Sequence, residues 1–309
     1  MSDSPLEIRS MRSSEWQAVA SLIHRSTNAW YAQRGLGPIF AGPESDALLF
    51  CETYEALDPD DCLVATLADQ IVGSCFFRER ETHCSLGIMN ADPDCRGHSV
   101  ARRLLEEVIR RTSKSNKPLR LVSSAFNLDS YSLYTRAGLS PRTIFQDMTL
   151  EIPSQGLKGP KLPRGATIRL VEKDDVTAVA DLEFRLNGIR REKDYRFFAD
   201  NKQGIWATLL YEDQSGLRGF LGSVDHPASC MLGPGCMEDD EVALALILAQ
   251  LKRMHPRCPV FLVPANRLGL IEELYGLGAR NCELHFAQCL GDYEEPSGVA
   301  MPSFMPETA

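Results

Sequence analysis

One stretch, Leu86 to Ile109, limits what this chain can fold into. An apolar strand pattern, Leu86-Gly87-Ile88-Met89-Asn90-Ala91, enters a short polar turn, and the turn runs straight into a helix. Val100, Leu104, Leu105, Val108 and Ile109 then recur at the spacing of one helical face, while Arg102, Arg103, Glu106, Glu107, Arg110 and Arg111 fill the other. The turn ends in small residues, Gly97, Ser99 and Ala101, where the helix begins. A helix N-terminus carries unpaired N–H groups and a partial positive charge, so it attracts an anion, and small residues let that anion approach the backbone. Arg96, just ahead, adds direct charge attraction. The residues Arg96-Gly97-His98-Ser99-Val100-Ala101 are therefore expected to hold a phosphate or diphosphate.

The rest of the composition narrows the class. A chain of 309 residues suggests two ordinary domains. With 33 Lys and Arg against 42 Asp and Glu, the chain has no basic footprint for nucleic acid, and its acidity suits a cationic or amine partner. Met1-Ser2-Asp3-Ser4-Pro5 has neither a basic region nor an apolar core, so no secretory signal is expected, and no apolar run is long enough to span a membrane. The cysteines are scattered through apolar segments with no Cys-x-x-Cys pair, which argues against disulfide staples and a metal site. Buried, reduced thiols in a cytoplasmic protein are the expectation.

In the first half, Leu6 to Arg9 alternates as a strand, and Trp16, Val19, Leu22 and Ile23 mark a helix. Residues 28–42 read as a loop and 44–57 as a second helix. Cys62 to Ala68 and Ile71 to Phe77 form a strand pair, Thr82 to Ala91 leads into the turn, and Pro118 to Ala125 is a further strand. Its exit contains Asn127, Tyr134 and the pair Gly138-Leu139.

The spacing Arg96-x-x-Ser99-x-Ala101, with Pro93 three residues ahead, resembles the pyrophosphate loop of the GNAT N-acetyltransferase superfamily, although Ser99 replaces that pattern's first glycine. The order Asn127, Tyr134, Gly138-Leu139 is similar to the same family's run of Asn, a short helix with a Tyr and a Gly-Phe-like pair before its last strands. The two motifs together cover roughly residues 5–152. The resemblance implies an α/β (α+β) fold whose mixed, mostly antiparallel central sheet is flanked by helices and splays to admit acetyl-CoA. It implies that the pantetheine arm pairs with the backbone of Met89, Asn90 and Ala91, that the diphosphate sits on the amides of residues 96–101, and that Asn127 belongs to the cofactor side.

The second half restarts. Residues 153–165 have linker composition, and Thr167-Ile168-Arg169-Leu170 resembles Leu6 to Arg9. Asn266 and Leu274-Tyr275-Gly276-Leu277-Gly278-Ala279 echo Asn127 and the run Tyr134 to Leu139. The expected organisation is a CoA-binding acetyltransferase domain at 1–152, a linker at 153–165, a degenerate GNAT-like domain at 166–293 and a tail at 294–309. The segment opposite the phosphate turn carries Glu238, Asp239, Asp240 and Glu241, which repel a diphosphate, so one cofactor per chain is expected. The second domain either completes the fold or shapes the acceptor pocket or a homodimer contact.

The resemblance implies acetyl-CoA-dependent transfer to a small-molecule or peptide amine by direct attack. A Tyr at the place of Tyr134 protonates the departing thiolate, and the strand before the turn supplies the base. His83 shares a strand face there with Ser85 and Gly87 and titrates near neutrality. The competing reading is a non-catalytic acyl-CoA-binding or regulatory protein.

Overall fold

The computed structural model describes residues 5–95, 97–154, 156–157 and 161–303. They divide into two compact units, one holding residues 5–79 with 84–119 and the other 80–83 with 120–303.

The first unit carries β1 (Glu7–Ser10), α1 (Trp16–Ala32), α2 (Leu48–Leu57), β2 (Cys62–Leu67), β3 (Gln70–Glu79), β4 (Cys84–Ala91) and α3 (Val100–Thr112). Its four strands pair antiparallel in chain order, with Ile8 opposite Ala65, Leu63 opposite Cys75 and Phe77 opposite Leu86. Val100, Leu104, Leu105 and Val108 are buried, as the helical spacing predicts. α3 rests directly on the β3 backbone, because a Cβ on Gly73 would overlap side-chain atoms of Val100. The loop expected from Asn28 begins later, since α1 continues to Ala32. Asn28 instead ties the loop back to the helix: its amide donates to the Phe40 carbonyl (2.9 Å), and its Oδ1 accepts from the Phe40 N–H (3.0 Å).

The second unit contains β5 (Leu119–Ser124, all but its first residue), α4 (Leu128–Arg136), β6 (Ser140–Thr149), β7 (Thr167–Leu170), α5 (Val176–Asn187), α6 (Glu192–Asp200), β8 (Trp206–Asp213), β9 (Gly216–His226), β10 (Ser229–Met237), α7 (Asp240–Met254), β11 (Phe261–Pro264), α8 (Leu268–Gly276), β12 (Arg280–Leu290) and β13 (Val299–Met301). One run of strands is ordered β5-β12-β6-β11 and the other β13-β10-β9-β8-β7. α6 has no counterpart in the sequence reading.

The internal repeat is present. β7 and α5 follow one another as β1 and α1 do, and the pair Arg169–Asp175 repeats Arg9–Glu15. The agreement is closest from β5 onward, at an offset of 140 residues. α4 and α8 are each 9 residues long, and Gly138 and Gly278 follow them with φ of +94° and +98°. β6 and β12 pair antiparallel, with Phe145 opposite His285. Two equivalent bonds flank that pair, Ala125 N–H to the Leu284 carbonyl and Ala265 N–H to the Ile144 carbonyl, both 2.8 Å. The last strand of each repeat thus lies between two strands of the other. This exchange gives β6 both its strand neighbours from the second half of the chain, which is why residues 120–152 cluster with the second half and not with the rest of the first repeat.

β10 and β11 begin as neighbours, joined by the bridge of Met231 with Val260, and then part. The short strand β13 fills the split and pairs with β10 through Gly235–Met301, Cys236–Ala300 and Met237–Val299. The tail from 294, read from sequence as too short for a domain, therefore contributes a buried strand. Phe304, which would pack on a domain surface if the tail is an extended arm and not a disordered segment, lies outside the described residues.

Candidate functional site

The turn after β4 is built by local bonds. The Asp92 carboxylate accepts from the Asp94 N–H at 3.0 Å and pairs with Arg25. The Cys95 N–H donates to the Asp92 carbonyl at 3.0 Å, and the His98 N–H to that of Cys95 at 3.4 Å. Gly97 has φ of +93° and Ser99 of +57°, so the chain enters α3 through left-handed backbone. This explains why the motif favours glycine at the place of Ser99. The Ser99 side chain makes no cap to the helix. The first bond into α3 runs from the Arg103 N–H to the Ser99 carbonyl at 2.9 Å, so the amides of residues 100–102 precede the helix's own ladder. Arg96, the basic residue of the motif, lies outside the described residues.

Beside this turn is a cleft of about 300 Å³. Gly97 and Ser99 line it from the turn, Ala101 from the start of α3, and Ser26, Trp30 and the cap residue Gln33 from α1. Those α1 residues were missed in the sequence reading; their spacing of four and three puts them on one helical face, the signal that could have found them. Met89, Asn90 and Ala91 end β4 opposite Cys75, Ser74 and Gly73. The Asn90 amide donates to Ser26 (2.8 Å) and Thr27 (3.2 Å), which fixes β4 to α1.

The remaining candidates lie in the second unit. Asn127 caps α4, its Oδ1 accepting from the Ser130 N–H at 3.1 Å. Tyr134 is buried on the same helix. His83 is buried just before β4, with its Nδ1 3.3 Å from the Thr82 hydroxyl. Two buried ion pairs lie nearby in sequence: Arg80 donates to Asp194 at 2.6–2.7 Å and Arg191 to Glu183 at 2.6–3.0 Å. A third charged group, invisible in the sequence, joins Asp147 of β6 to Glu283 and His285 of β12. Its ligand atoms all lie within 4.8 Å of one another, and His285 Nδ1 is 2.9 Å from the Asp147 carboxylate.

In the second repeat the would-be phosphate turn is already occupied. Asp239 accepts from the Val242 N–H at 2.9 Å and takes up the N-terminus of α7. Arg218 binds Glu238 and Asp239, and Arg185 binds Glu238 at 2.8 Å. The four acids are thus partly neutralised, so capping and the filled split add to simple repulsion.

None of the ten cysteines forms a disulfide. Burial pushes the Cys51 thiol up to about 12, so it stays protonated. Among the described residues no helix is long and apolar enough to cross a membrane.

Residues 24–139 match the model of the acetyltransferase (GNAT) family. No curated protein matches the sequence at a significant level. Solved structures share the fold. A Pyrococcus horikoshii protein provisionally named an acetyltransferase superposes with a TM-score of 0.74 at 16% identity, over 97% of this chain and 94% of its own. A GCN5-related N-acetyltransferase from Sphaerobacter thermophilus gives 0.64 at 16% identity, over 94% and 98%. A tandem GNAT protein from the clavulanic acid biosynthesis pathway gives 0.61 at 13% identity, over 94% and 100%.

Proposed function

Because the first half of this chain carries a GNAT acetyltransferase domain in a tandem GNAT fold, and that family transfers acyl groups, we propose that the protein is an acetyl-CoA-dependent N-acetyltransferase. The observation that carries the reading is the left-handed turn at Gly97 and Ser99, which opens the α3 N-terminus to the cleft beside α1. Amides there suit a diphosphate, and the charge of Arg96 adds to them. The backbone of Met89 to Ala91 would hold the pantetheine arm, with Asn127 on the cofactor side. The acceptor is a small-molecule or peptide amine, in keeping with the acidic balance of the chain. Ten cysteines without a disulfide fit a cytoplasmic location.

In direct transfer the amine nitrogen forms a bond to the thioester carbonyl carbon as the carbon–sulfur bond breaks. The departing thiolate takes a proton, for which Tyr134 is the donor, and the amine gives one up, for which His83 is the acceptor read from the strand pattern. Calorimetry with acetyl-CoA, followed by thiol release across a panel of amines, tests the reading. Saturable binding at one site per chain with transfer to some amine supports it. Binding without transfer to any amine would replace it with an acyl-CoA-binding module, and absence of binding would overturn both.

A further inference from the structure

α5 matches α1 at an offset of 160 residues, which sets the pair Arg169–Asp175 on Arg9–Glu15. At that offset Glu183 stands where the first repeat has Ile23. Both are buried, at 1% and 0% exposure, so packing alone is satisfied by an isoleucine, while a carboxylate there needs a partner. Arg191 supplies it. Its Nε donates to Glu183 Oε2 at 3.0 Å and its Nη2 to Oε1 at 2.6 Å, and the Tyr195 hydroxyl donates to the same carboxylate. The third guanidinium nitrogen, Nη1, is equally buried and has no hydrogen-bond partner among the described residues.

We propose that the second unit binds a small carboxylate on the open edge of Arg191, at a site that shares no residue with the cleft beside α1. Three observations carry it. The first is the way this unit already uses a guanidinium. Arg169 holds Glu212 through Nε and Nη2 (2.8 and 2.9 Å) and holds Asp175 through Nη1 and Nη2 (2.6 and 2.8 Å). Arg191 spends its Nε–Nη2 edge on Glu183 in the same manner and keeps its Nη1–Nη2 edge. Two parallel N–H groups on such an edge match the two oxygens of a carboxylate.

The second observation is room. Arg191 and Glu183 line a cavity of about 30 Å³, space for roughly two waters or the two oxygens of a carboxylate. Phe145, Ala287 and Met301 also line it, and they suit a short alkyl part and no more. The third is the balance of donors and charge. Asn187 brings an amide to the cavity, and the hydroxyls of Thr143 and Tyr293, 3.0 Å apart, keep one proton beyond their mutual bond. Arg120 and Arg142 each lie 5.1 Å from the centre of the Tyr293 ring. Glu183 is already neutralised by Arg191, and Glu295, which also lines the cavity, is exposed and screened by solvent. The surroundings therefore favour an anion that accepts several hydrogen bonds. The proposal does not rest on the acyl-transfer reading, and its test needs no cofactor.

The full chain is titrated with sodium acetate at constant ionic strength, with acetamide as the uncharged control. In carbon-13 spectra of the methionine methyls, the signal lost in Met301→Leu identifies Met301. Acetate should shift that signal saturably, and acetamide should leave it in place. Ala287→Val adds two methyl groups to the cavity wall without touching the ion pair, and the acetate-dependent shift should be lost. Glu183→Gln keeps the hydrogen bonds and removes the competing charge, so acetate should saturate at roughly tenfold lower concentration; a guanidinium that served packing alone would show no such gain. If Ala287→Val fails to fold, Glu183→Gln decides. A Met301 signal that acetate does not move, an equal response to acetamide, a shift that survives in Ala287→Val, or an unchanged midpoint in Glu183→Gln overturns the proposal.

Discussion

Tyr134 and Leu274 stand at the same point of α4 and α8, each buried seven residues into its short helix, yet only the first carries a hydroxyl. Packing alone is satisfied by leucine in the second repeat. The phenol of Tyr134 is therefore the part of the side chain to which a chemical role can be assigned. Tyr134→Phe keeps the ring and removes that hydroxyl. Turnover should fall on the order of a hundredfold with acetyl-CoA affinity nearly unchanged. Steady-state rates and calorimetry on the same preparation check this, and turnover within about twofold of the parent would reduce Tyr134 to a packing residue.

Ser99 gives two opposite expectations. Its φ of +57° is costly for any residue with a Cβ. Ser99→Gly should raise stability by roughly 0.5–1 kcal/mol, seen as a higher midpoint in urea. Ser99→Asp should leave the fold intact but weaken acetyl-CoA binding, because a carboxylate would face the diphosphate. Equal affinity of Ser99→Asp and parent would remove the cofactor from this turn.

The split of the second repeat predicts stoichiometry. β13 occupies it, and a Cβ on Gly298 would overlap the Met237 carbonyl oxygen. Gly298→Val should dislodge the strand and destabilise the protein by about 1–3 kcal/mol. It should still bind a single acetyl-CoA, since Asp239 continues to cap α7. A second binding event in the titration would show that the strand alone closes that groove.

Arg80 and Asp194 form a buried pair within the second unit, at 2% and 0% side-chain exposure. Removing one partner strands a charge. Asp194→Ala should cost about 3–5 kcal/mol, and chemical denaturation compared with Arg80→Met/Asp194→Leu should show the double change to be the milder one.

Much of this was legible in the sequence, and the exceptions share a cause. The 3.6-residue spacing from Val100 to Ile109 gave α3, and the strand–turn–helix order gave the turn from β4 into α3, because both are local. The offset between Tyr134 and Leu274 was readable as an echo, although Asn266 misplaced it by one: the residue before α8 that matches Asn127 is Arg267. Asp147 and His285 could not be paired from sequence, because 138 residues separate them and only the exchange of β6 and β12 makes them neighbours. β13 was hidden for a similar reason: three residues between prolines read as tail until β10 supplies a partner.

Acid should expose one local contribution. Arg110 and Arg111 hold the Glu107 carboxyl down to about 2, against an ordinary value near 4.5. A depressed carboxylate stabilises the fold above its unfolded value and loses that contribution as pH falls toward the folded one. The melting temperature of the parent should exceed that of Glu107→Gln at pH 7, and the gap should close between about pH 4.5 and 2. A gap constant over that range would mean that Glu107 acts through packing alone.

The interleaving of β5, β12, β6 and β11 sets an order for biosynthesis. β5 and β6 leave the ribosome long before β12, whose first residue follows the end of β5 by more than 150 positions. Until β11 and then β12 emerge, β6 has no strand neighbour, and its Phe145 and Met148 have no strand face to cover them. Closing so long a loop is slow, and open strand edges are adhesive. The nascent first half is therefore the aggregation-prone species, and a chain cut after the linker should collect in inclusion bodies where the full chain folds.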